Sequence, residues 1–505
     1  MFPRSTIDTS LSLPTSEVES MDPETELASI LLQTTLRSNA SKALCIPEIL
    51  SNVLKFLRQD KKTLRPLASV NKIWFQEATR LLWKEATSKA LISVEESRRN
   101  IYASKIRKLT VHYASCHAQL RHCNFTSLRV LCFNLGAKDV KQEVYSQYLR
   151  PTLEEVFFMA LLPDDLLHGL NQHCPRLRVF VQGLQAHTDW SDLADFLTKN
   201  QSLQSVKLVS ESEGDSVTLF QALSKMPYLE DLSLKGQISE SVLRQLLESS
   251  AETLDRPRFN TVSKVEITVG APALSLLRPT FSAMTSLTLD ILIEKESHEL
   301  DALAHLPLES LQLHIAAGVR LSSQELLFLH NAKNLQSLSI RPKPWSPTIT
   351  MPKLTISNDH FRQIFANLSS LKRLLIWFSV RIRDTHTALL DLGRSCPKLE
   401  NLRMYCIVEL TAWNTIPTPL FPSLTFLWIA SVNDDRLETD PSGQISEHLA
   451  ALIDKNAPKL DRFVAINNYA YRPTETRELS RYVMRAHGRI KEISQTRHTQ
   501  HDNDR

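Results

Sequence analysis

Two cysteines and two histidines near residue 120 form the densest group of metal-capable side chains in the chain. Cys116, His117, His122 and Cys123 make the pattern CHxxxxHC, and His112 precedes them. Thiolates and imidazoles bind zinc, but structural zinc sites take their ligands at characteristic spacings. This pattern matches none of them, and no second ligand pair stands at a standard distance. We therefore expect free cysteines, partly exposed histidines and no metal.

Adjacent carboxylates are the next group that could do chemistry. Asp164-Asp165 and Asp434-Asp435 both stand beside turn-like segments. Neighbouring side chains point in different directions, so neither pair suggests a general acid–base couple, and we expect them to cap helices or face water. A Ser/His/Asp or Cys/His set cannot be named before a fold brings its members together. The sequence predicts no catalytic residue.

The glycines exclude the common phosphate-binding and nucleophile motifs. There are only 10, and no two lie closer than Gly169 and Gly183. GxGxxG, GxxxxGK[ST] and GxSxG each need glycines within a few residues of one another, so that the backbone can approach a phosphate or turn sharply. HExxH and CxxC are absent as well. We expect no cofactor, and an enzyme hidden in the chain is the least favoured interpretation.

Length and composition indicate several domains or one elongated array. The chain has 505 residues, 42% of them hydrophobic and 23% charged, with a formal net charge of +4. So small a charge gives no reason to expect nucleic acid or an acidic membrane as partner. The N-terminus shows no secretory signal, no apolar run could span a membrane, and the seven cysteines are irregularly spaced. These features predict the cytosol or the nucleus.

From about residue 105 an LxxLxL string recurs, with other apolar residues substituting at the L positions. The strings begin at Ile106, Leu128, Leu153, Leu177, Leu203, Leu229, Val262, Met284, Leu308, Leu335, Leu371, Leu399, Leu424 and Leu460. Most steps are 22 to 28 residues, and an amphipathic segment precedes each string. In such a repeat the L positions stack inward, and the residues between them point outward on one parallel strand. A repeat array is therefore favoured over unrelated α/β units, with insertions in the longer steps, most clearly at residues 341–355.

Residues 44 to 87 show helical spacing instead. Pro47 suits the first turn of a helix, and apolar residues follow it at helical intervals as far as Leu57. A polar turn at residues 59–62 interrupts the pattern before it continues. We expect Val53 and Leu54 to lie in the core of this module. So short a segment has a thin core and usually leans on a partner.

The segment from Leu44 to Lys84 resembles the F-box motif in the form common in fungal proteins. The matching residues are Ile46-Pro47-Glu48-Ile49-Leu50, Val53, Leu57, Asp60, Leu64, Leu67, Val70-Asn71, Trp74 and Leu81-Leu82-Trp83. One departure is Cys45, where many members carry leucine. The downstream array is similar to the leucine-rich repeats that often follow an F-box, in period more than in detail.

The resemblance implies a binding role. F-box motifs dock on a Skp-type adaptor and thereby join a cullin–RING ubiquitin ligase of the SCF type, in which the repeats would bind a protein substrate. Carried over position by position, the adaptor-binding face comprises Pro47, Ile49, Leu50, Leu57, Val70 and Trp74. The alternative is a repeat scaffold whose F-box serves assembly or localisation without ubiquitination.

The outward strand positions predict where a protein partner binds. In the C-terminal repeats these positions hold Arg373, Leu375, Trp377, Arg403, Tyr405, Phe426 and Trp428, with Asn401 beside them. Trp, Tyr and Arg side by side are typical of binding hot spots. The alternative is that Trp377 and Trp428 pack beneath an insertion or the C-terminal segment. A register slip of one residue would turn these side chains into the core.

Together these patterns predict an α/β protein. We expect a disordered tail at 1–40, the F-box at 41–88, a linker at 89–104, the repeat array at 105–470, and a C-terminal cap helix with a polar tail at 471–505. The array is expected to be a right-handed leucine-rich repeat solenoid, a horseshoe with parallel strands on its concave face and helices outside. The basic C-terminal helix could instead contact an acidic partner.

Overall fold

Parallel strands pair side by side in one open sheet of 15 strands in the computed structural model. The structure describes residues 43–113, 115–134, 145–159, 164–183, 190–209, 217–248, 259–291, 298–316, 321–343, 353–377, 379–382, 385–408, 413–414, 416, 419–432 and 451–465. Neighbours in the sheet follow chain order from its first strand to its last. This arrangement is a leucine-rich repeat solenoid, as the sequence predicted.

The strands and helices alternate along most of the chain. The strands are β1 Glu85–Thr87, β2 Lys108–Val111, β3 Val130–Phe133, β4 Glu155–Phe158, β5 Val179–Gln182, β6 Ser205–Val209, β7 Asp231–Ile238, β8 Lys264–Val269, β9 Ser286–Ile291, β10 Ser310–Ile315, β11 Ser337–Pro342, β12 Lys353–Ile356, β13 Arg373–Ile376, β14 Ser379–Ile382, β15 Asn401–Val408, β16 Phe426–Val432 and β17 Arg462–Ala465. The α-helices are α1 Pro47–Phe56, α2 Lys61–Leu67, α3 Lys72–Leu82, α4 Ser88–Ile92, α5 Glu96–Ala103, α6 Ser115–Leu120, α7 Asp164–His173, α8 Trp190–Lys199, α9 Val217–Ser224, α10 Glu240–Glu248, α11 Leu277–Thr280, α12 Asn358–Phe365 and α13 Thr385–Ser395.

All fourteen LxxLxL strings form strands, and the predicted register is confirmed. Each string begins two residues before its strand, as Leu399 does before β15. Leu399, Leu402 and Met404 are fully buried there, whereas Asn401 and Arg403 are half-buried and Glu400 is exposed. The same alternation recurs because every anchor stacks on its counterpart in the next repeat, for example Leu374 beside Leu402.

The sheet begins earlier than the strings predicted. Strand β1 lies within the range expected for the F-box and pairs with β2 through Glu85 and Lys108. Residues 89–104, expected to be a linker, contain most of α4 and all of α5. Leu91 and Ala103 on these helices are fully buried in the core of the array. Their burial explains why this segment is structured although it carries no LxxLxL string.

The connections between strands are less uniform than expected. Pro175, Pro227 and Pro397 follow the ends of α7, α9 and α13, where proline cannot continue a helix because it lacks a backbone donor. Elsewhere 3-10 turns replace α-helices, at Ala271–Leu276, His298–His305 and Leu327–Asn331. Such short, tighter helices suit connections with little room. Strands β12 and β14 form a separate two-stranded parallel sheet, so the insertion predicted at residues 341–355 contains most of β12 as well as the end of β11.

Two hydrophobic cores are distinct. One runs continuously through the array, from Leu91 to Phe463. The other is small and belongs to the helical module formed by α1, α2 and α3; its fully buried members are Leu50, Leu54, Leu64 and Ala78. A core of this size leaves much of the apolar surface of the module uncovered. The predicted disordered tail and C-terminal cap lie outside the described residues.

Candidate functional site

Side-chain caps define the helices of the N-terminal module. The Asp60 carboxylate accepts hydrogen bonds from the backbone amides of Lys62 and Thr63, each at 3.1 Å, and starts α2. The Asn71 amide oxygen accepts from the backbone amides of Ile73 and Trp74 at 2.9 and 3.0 Å and starts α3. Both satisfy amides that a helix leaves unpaired at its first turn. Asp60 and Asn71, which match the sequence motif, therefore have a structural role as the caps that begin α2 and α3.

The predicted adaptor-binding residues are divided between the core and the surface of the module. Leu50 is 0% exposed and packs in the core of the module, so it is not part of an accessible face, contrary to the prediction. Pro47, Ile49 and Val70 are exposed as expected. Leu57 and Trp74 are half-buried and pack against the module core.

The register of α1 also corrects the expected core. Leu54 is fully buried as predicted, but Val53 is exposed, because the two differ by one residue and so by about 100° around the helix. Val53 instead joins Ile46, Ile49 and Phe56, which recur at intervals of three and four residues on one face. We call these four residues the α1 stripe.

Phe56 was missed in the sequence analysis although it is the most exposed large apolar residue of the stripe, at 91%. Ile46 was recognised as part of the motif but not as part of the face. The spacing from Ile46 through Ile49 and Val53 to Phe56 was the available signal. Val70, between α2 and α3, is exposed as well.

The module is fixed to the first repeats through α3. The Trp83 ring stacks on that of Tyr102 with centroids 4.8 Å apart, and Phe75 lies 6.3 Å from the same ring. The Lys105 ammonium donates to the Gln76 side chain at 2.7 Å and to the Thr79 hydroxyl at 2.8 Å. Burial lowers the pKa of Lys105. These contacts hold the α1 stripe in a defined position relative to the sheet.

A cleft of about 670 Å³ lies at this junction. Its lining includes Lys61 and Arg65 from α2, together with Trp83, Glu85 and Lys108. The Arg58 guanidinium lies 3.5 Å from the Glu85 carboxylate. We assign no chemistry to this cleft: the Ser93 hydroxyl in its lining donates to the backbone carbonyl of Ala90 at 2.8 Å rather than to a base.

The outward positions of the C-terminal strands form the second candidate surface. We call the outward residues of β13, β15, β16 and β17, with Trp377, the C-terminal patch. Strand pairing places them in two rows: Arg373, Asn401, Phe426 and Arg462 in the first, and Leu375, Arg403, Trp428 and Val464 in the second. The prediction that these positions point outward from the core is confirmed by this register.

Aromatic contacts organise the C-terminal patch. Trp377 and Trp428 stack with ring centroids 4.7 Å apart and an interplanar angle of 19°, and Tyr405 lies 6.2 Å from Trp428. The Arg403 guanidinium sits 4.6 Å from the centroid of Phe426 and donates to Asn401 at 3.1 Å. Trp428 is only 7% exposed. The patch is therefore preorganised. Trp428 holds the neighbouring rings in place and offers little of its own surface to a partner.

Upstream, the outward positions of β6 to β11 are mostly polar, whereas those of β3 to β5 include Val130, Phe157 and Val179. Three ion pairs link side chains from different repeats there: Lys207–Asp231 at 3.0 Å, Lys235–Glu266 at 3.1 Å and Lys343–Asp290 at 3.1 Å. His314, which is buried, bonds through Nδ1 to Asp290 at 2.6 Å and through Nε2 to Arg341 at 2.8 Å. Burial alone would raise the pKa of Asp290, but hydrogen bonds from His314 and Lys343 bring it below its ordinary value.

The cysteine–histidine group near residue 120 is split between core and surface. Cys116, His117 and Cys123 are buried and His122 is exposed, so the expectation of partly exposed histidines fails for His117. His117 Nδ1 lies 3.1 Å from the Tyr148 hydroxyl, and burial lowers the pKa of His117 to about 4. All seven cysteines are free, and burial raises the pKa of Cys396 and Cys406 to about 12.

Two further properties concern the described part of the chain. No group of three or more His, Cys, Asp or Glu side chains is arranged there to hold a metal ion. None of the helices described has both the length and the apolar character that crossing a membrane requires. The side chains of Asp164 and Asp165 and the pair Asp434-Asp435 lie outside the description.

A scan of protein-family models and a search of curated proteins both return no match. Among solved structures, the chain is similar to the leucine-rich repeat protein LegL7 from Legionella pneumophila, with 14% identity and a TM-score of 0.35 over 63% of this chain and 94% of that one. A chain in the Rad7 and Elc1 complex in yeast has 14% identity and a TM-score of 0.38 over 84% of this chain and 96% of that one. Likeness at this level carries no argument about partners, and the architecture rests on the strand pairing.

Proposed function

We propose that the protein is a non-enzymatic adaptor that serves as a substrate receptor of an SCF-type ubiquitin ligase. The N-terminal module binds a Skp-type adaptor, and through it a cullin–RING ligase, while the repeat sheet binds the protein to be ubiquitinated. In this role the chain supplies surfaces rather than catalytic groups, and it needs no cofactor. The proposed setting is the cytosol or the nucleus, with which the seven free cysteines are compatible.

The α1 stripe is the observation that carries this proposal. Ile46, Ile49 and Val53 are each at least 40% exposed, and Phe56 is 91% exposed. The last three stand on one face of the ten-residue helix α1, and Ile46 is the residue that caps its N-terminus. Apolar side chains left exposed together mark a binding surface, because burying them against a partner removes them from water. Each buried aliphatic or aromatic side chain of this size contributes roughly 1.5–3 kcal/mol to such binding.

The resemblance of residues 44–84 to an F-box supports a Skp-type adaptor as the partner of this stripe. Pro47, Ile49 and Val70 match the motif and are exposed, as Phe56 is. Val53 also matches and lies in the stripe, whereas Leu50 matches and lies in the core. The adaptor-binding face that we propose therefore comprises the α1 stripe, Pro47 and Val70, with Leu57 and Trp74 at its inner border.

The experiment is capture of a purified Skp-type adaptor by the full-length protein, measured by biolayer interferometry. Ile49→Asp with Phe56→Asp places two charges in the stripe, and we expect at least a hundredfold loss of affinity because those charges would be desolvated in the interface. Ile101→Asp is the matched control, since Ile101 is 45% exposed but stands on α5, outside the stripe.

The proposal is wrong if the wild-type protein does not bind the adaptor, or if the stripe variant binds as well as the control. Co-purification of a cullin and turnover of the captured protein then separate a substrate receptor from a scaffold whose module serves assembly alone. A scaffold would bind the adaptor normally but leave its partner stable in the presence of an active ligase.

A further inference from the structure

The charges on the outward sheet face change between its two halves. Upstream of β13, the ammonium groups of Lys207, Lys235 and Lys343 each have a carboxylate at about the distance of a hydrogen bond. In the C-terminal patch the cations are Arg373, Arg403 and Arg462, and among the described residues no carboxylate lies within 4.0 Å of their guanidinium groups. Among the described residues, the positive charge of the patch is thus uncompensated, whereas these three upstream cations are neutralised. Two exposed upstream cations, Lys108 and Lys264, also lack an ion pair with a described residue, but they lie on separate strands, β2 and β8, and are not grouped as the three arginines are.

The patch also lacks acidic residues at its outward strand positions. The two rows contain three arginines, one asparagine and otherwise apolar or aromatic residues. A ligand anion placed there would meet no like charge within the rows. A guanidinium group can donate two parallel hydrogen bonds to one carboxylate, a bidentate geometry that an ammonium group lacks. Arginine is therefore the favoured partner for an acidic side chain at an interface.

The positions of the arginines set the length of a matching ligand. Arg373 and Arg462 occupy the two ends of the first row, three strand steps apart from β13 to β17. Strands lie about 4.8 Å apart, so the two ends are separated by about 14 Å. An extended peptide rises about 3.3 Å per residue, so side chains about four residues apart would reach both ends. Phe426 lies between them, with Arg403 stacked over its ring.

The aromatic rings suit a peptide better than the bases of a nucleic acid. Bases bind by stacking on the open faces of aromatic rings. Here Trp377 and Trp428 cover one another, Arg403 and Arg462 lie over Phe426, and Trp428 is nearly buried. The rings therefore offer edges and a shallow apolar surface, which fit aliphatic side chains.

We propose that the C-terminal patch binds an extended, acidic segment of the target protein. The segment carries two aspartate or glutamate residues about four positions apart, which pair with Arg373 and Arg462, and apolar residues between them that pack on Phe426 and the paired tryptophans. This inference rests on the proposed function, since it names the class of substrate that the receptor takes.

The test is selection of random 12-residue peptides displayed on phage against the immobilised full-length protein. We expect enriched sequences to carry acidic residues about four apart around an apolar centre. Synthetic, fluorescein-labelled copies should bind the wild type at least tenfold more tightly than Arg373→Glu with Arg462→Glu, by fluorescence anisotropy. Lysine-substituted copies should bind that charge-reversed variant instead. Arg176→Glu with Arg278→Glu, two exposed arginines elsewhere, is the matched control and should bind like the wild type.

Several results would overturn the proposal: no enrichment, enrichment without acidic residues, or equal binding by the two double variants. A fifteen-nucleotide single-stranded DNA that binds more tightly than the best peptide, and loses binding in Arg373→Glu with Arg462→Glu, would assign the patch to nucleic acid. Capture of the Skp-type adaptor is measured on the same preparations. Failure of peptide selection with intact adaptor capture rejects this inference alone, whereas failed adaptor capture rejects the receptor role.

Discussion

The α1 stripe and the C-terminal patch are both rich in large apolar side chains, yet they meet water in opposite ways. Phe56 stands almost fully in solvent on a helix whose core has few fully buried residues. Trp428 is nearly as buried as a core residue, because its neighbours on adjacent strands stack around it. The α1 stripe leaves its apolar side chains exposed to water, whereas the side chains of the C-terminal patch partly bury one another.

The difference follows from what lies behind each surface. The patch rests on a sheet whose core is continuous over the whole array, so its side chains are held in place before a partner arrives. The module has a separate small core and depends on α3 for its attachment to the array. We infer that a partner bound at the stripe raises the stability of the module. A partner bound at the patch meets side chains that the array already holds in place, so little further ordering is needed.

The largest expected effect is Leu50→Ala in the core of the module. Removing a fully buried leucine should lower the free energy of unfolding by about 2–5 kcal/mol. In so thin a core we expect hydrogen exchange, followed by mass spectrometry, to rise across residues 47–82 while β6 to β11 stay protected. Val53→Ala, three residues along the same helix but exposed, is the control and should leave exchange unchanged. Equal loss of protection in both regions would show that they unfold as one unit.

Trp428→Ala tests whether the patch is supported from within. Because Trp428 is nearly buried and holds the rings of Trp377 and Tyr405, we expect a loss of about 3 kcal/mol in urea denaturation. Trp377→Ala, at the half-buried edge of the same stack, should cost clearly less. If both substitutions leave stability intact, the stack does not support the patch and the contrast with the stripe fails.

Acid should weaken the array before it weakens the module. Burial lowers the pKa of His117 to about 4 from the value near 6.5 expected of the unfolded chain, so protonation favours unfolding as the pH falls through that interval. The loss should reach about 2 kcal/mol at pH 5. In the module, hydrogen bonds from the side chain and backbone of Thr63 lower the pKa of Asp60. The cap therefore keeps its contribution to stability until the pH falls below the ordinary pKa of an aspartate.

Urea denaturation at pH 7.5 and pH 5.0 measures this effect. His117→Gln should remove most of the difference between the two pH values, because glutamine does not titrate. His168→Gln, on the exposed face of α7, should leave the difference as in the wild type. An unchanged pH dependence in His117→Gln would assign the acid sensitivity to other groups.

The smallest expected effect on stability, Phe56→Ala, separates binding from folding. Since Phe56 is exposed, its truncation should change the free energy of unfolding by no more than about 0.5 kcal/mol, while affinity for the Skp-type adaptor falls at least tenfold. Tyr228→Ala, at an exposed aromatic in the array, is the control for both measurements. A loss of stability as large as that of Leu50→Ala would show that Phe56 belongs to the core, and the α1 stripe would then not be a binding surface.

The repeat pattern was readable because its signal is local and recurrent. An anchor such as Leu399 is followed by further anchors at fixed offsets, and the same string returns at a step that only a stacked repeat produces. The strand β1 and the helices α4 and α5 escaped this pattern, because they end the array and have a repeat on one side only. Terminal repeats are commonly atypical for that reason.

Within the repeats, the sequence alone determined which strand residues face the core, since side chains alternate along a strand and the anchors reveal the phase. It also located the helical module and its motif. Tertiary structure alone decided the rest. On α1 it decided which face packs on α3, and so that Leu50 is buried while Val53 and Phe56 are exposed. At the patch it decided which side chains from separate strands meet, because the Trp377–Trp428 stack joins residues about fifty positions apart that only strand pairing brings together.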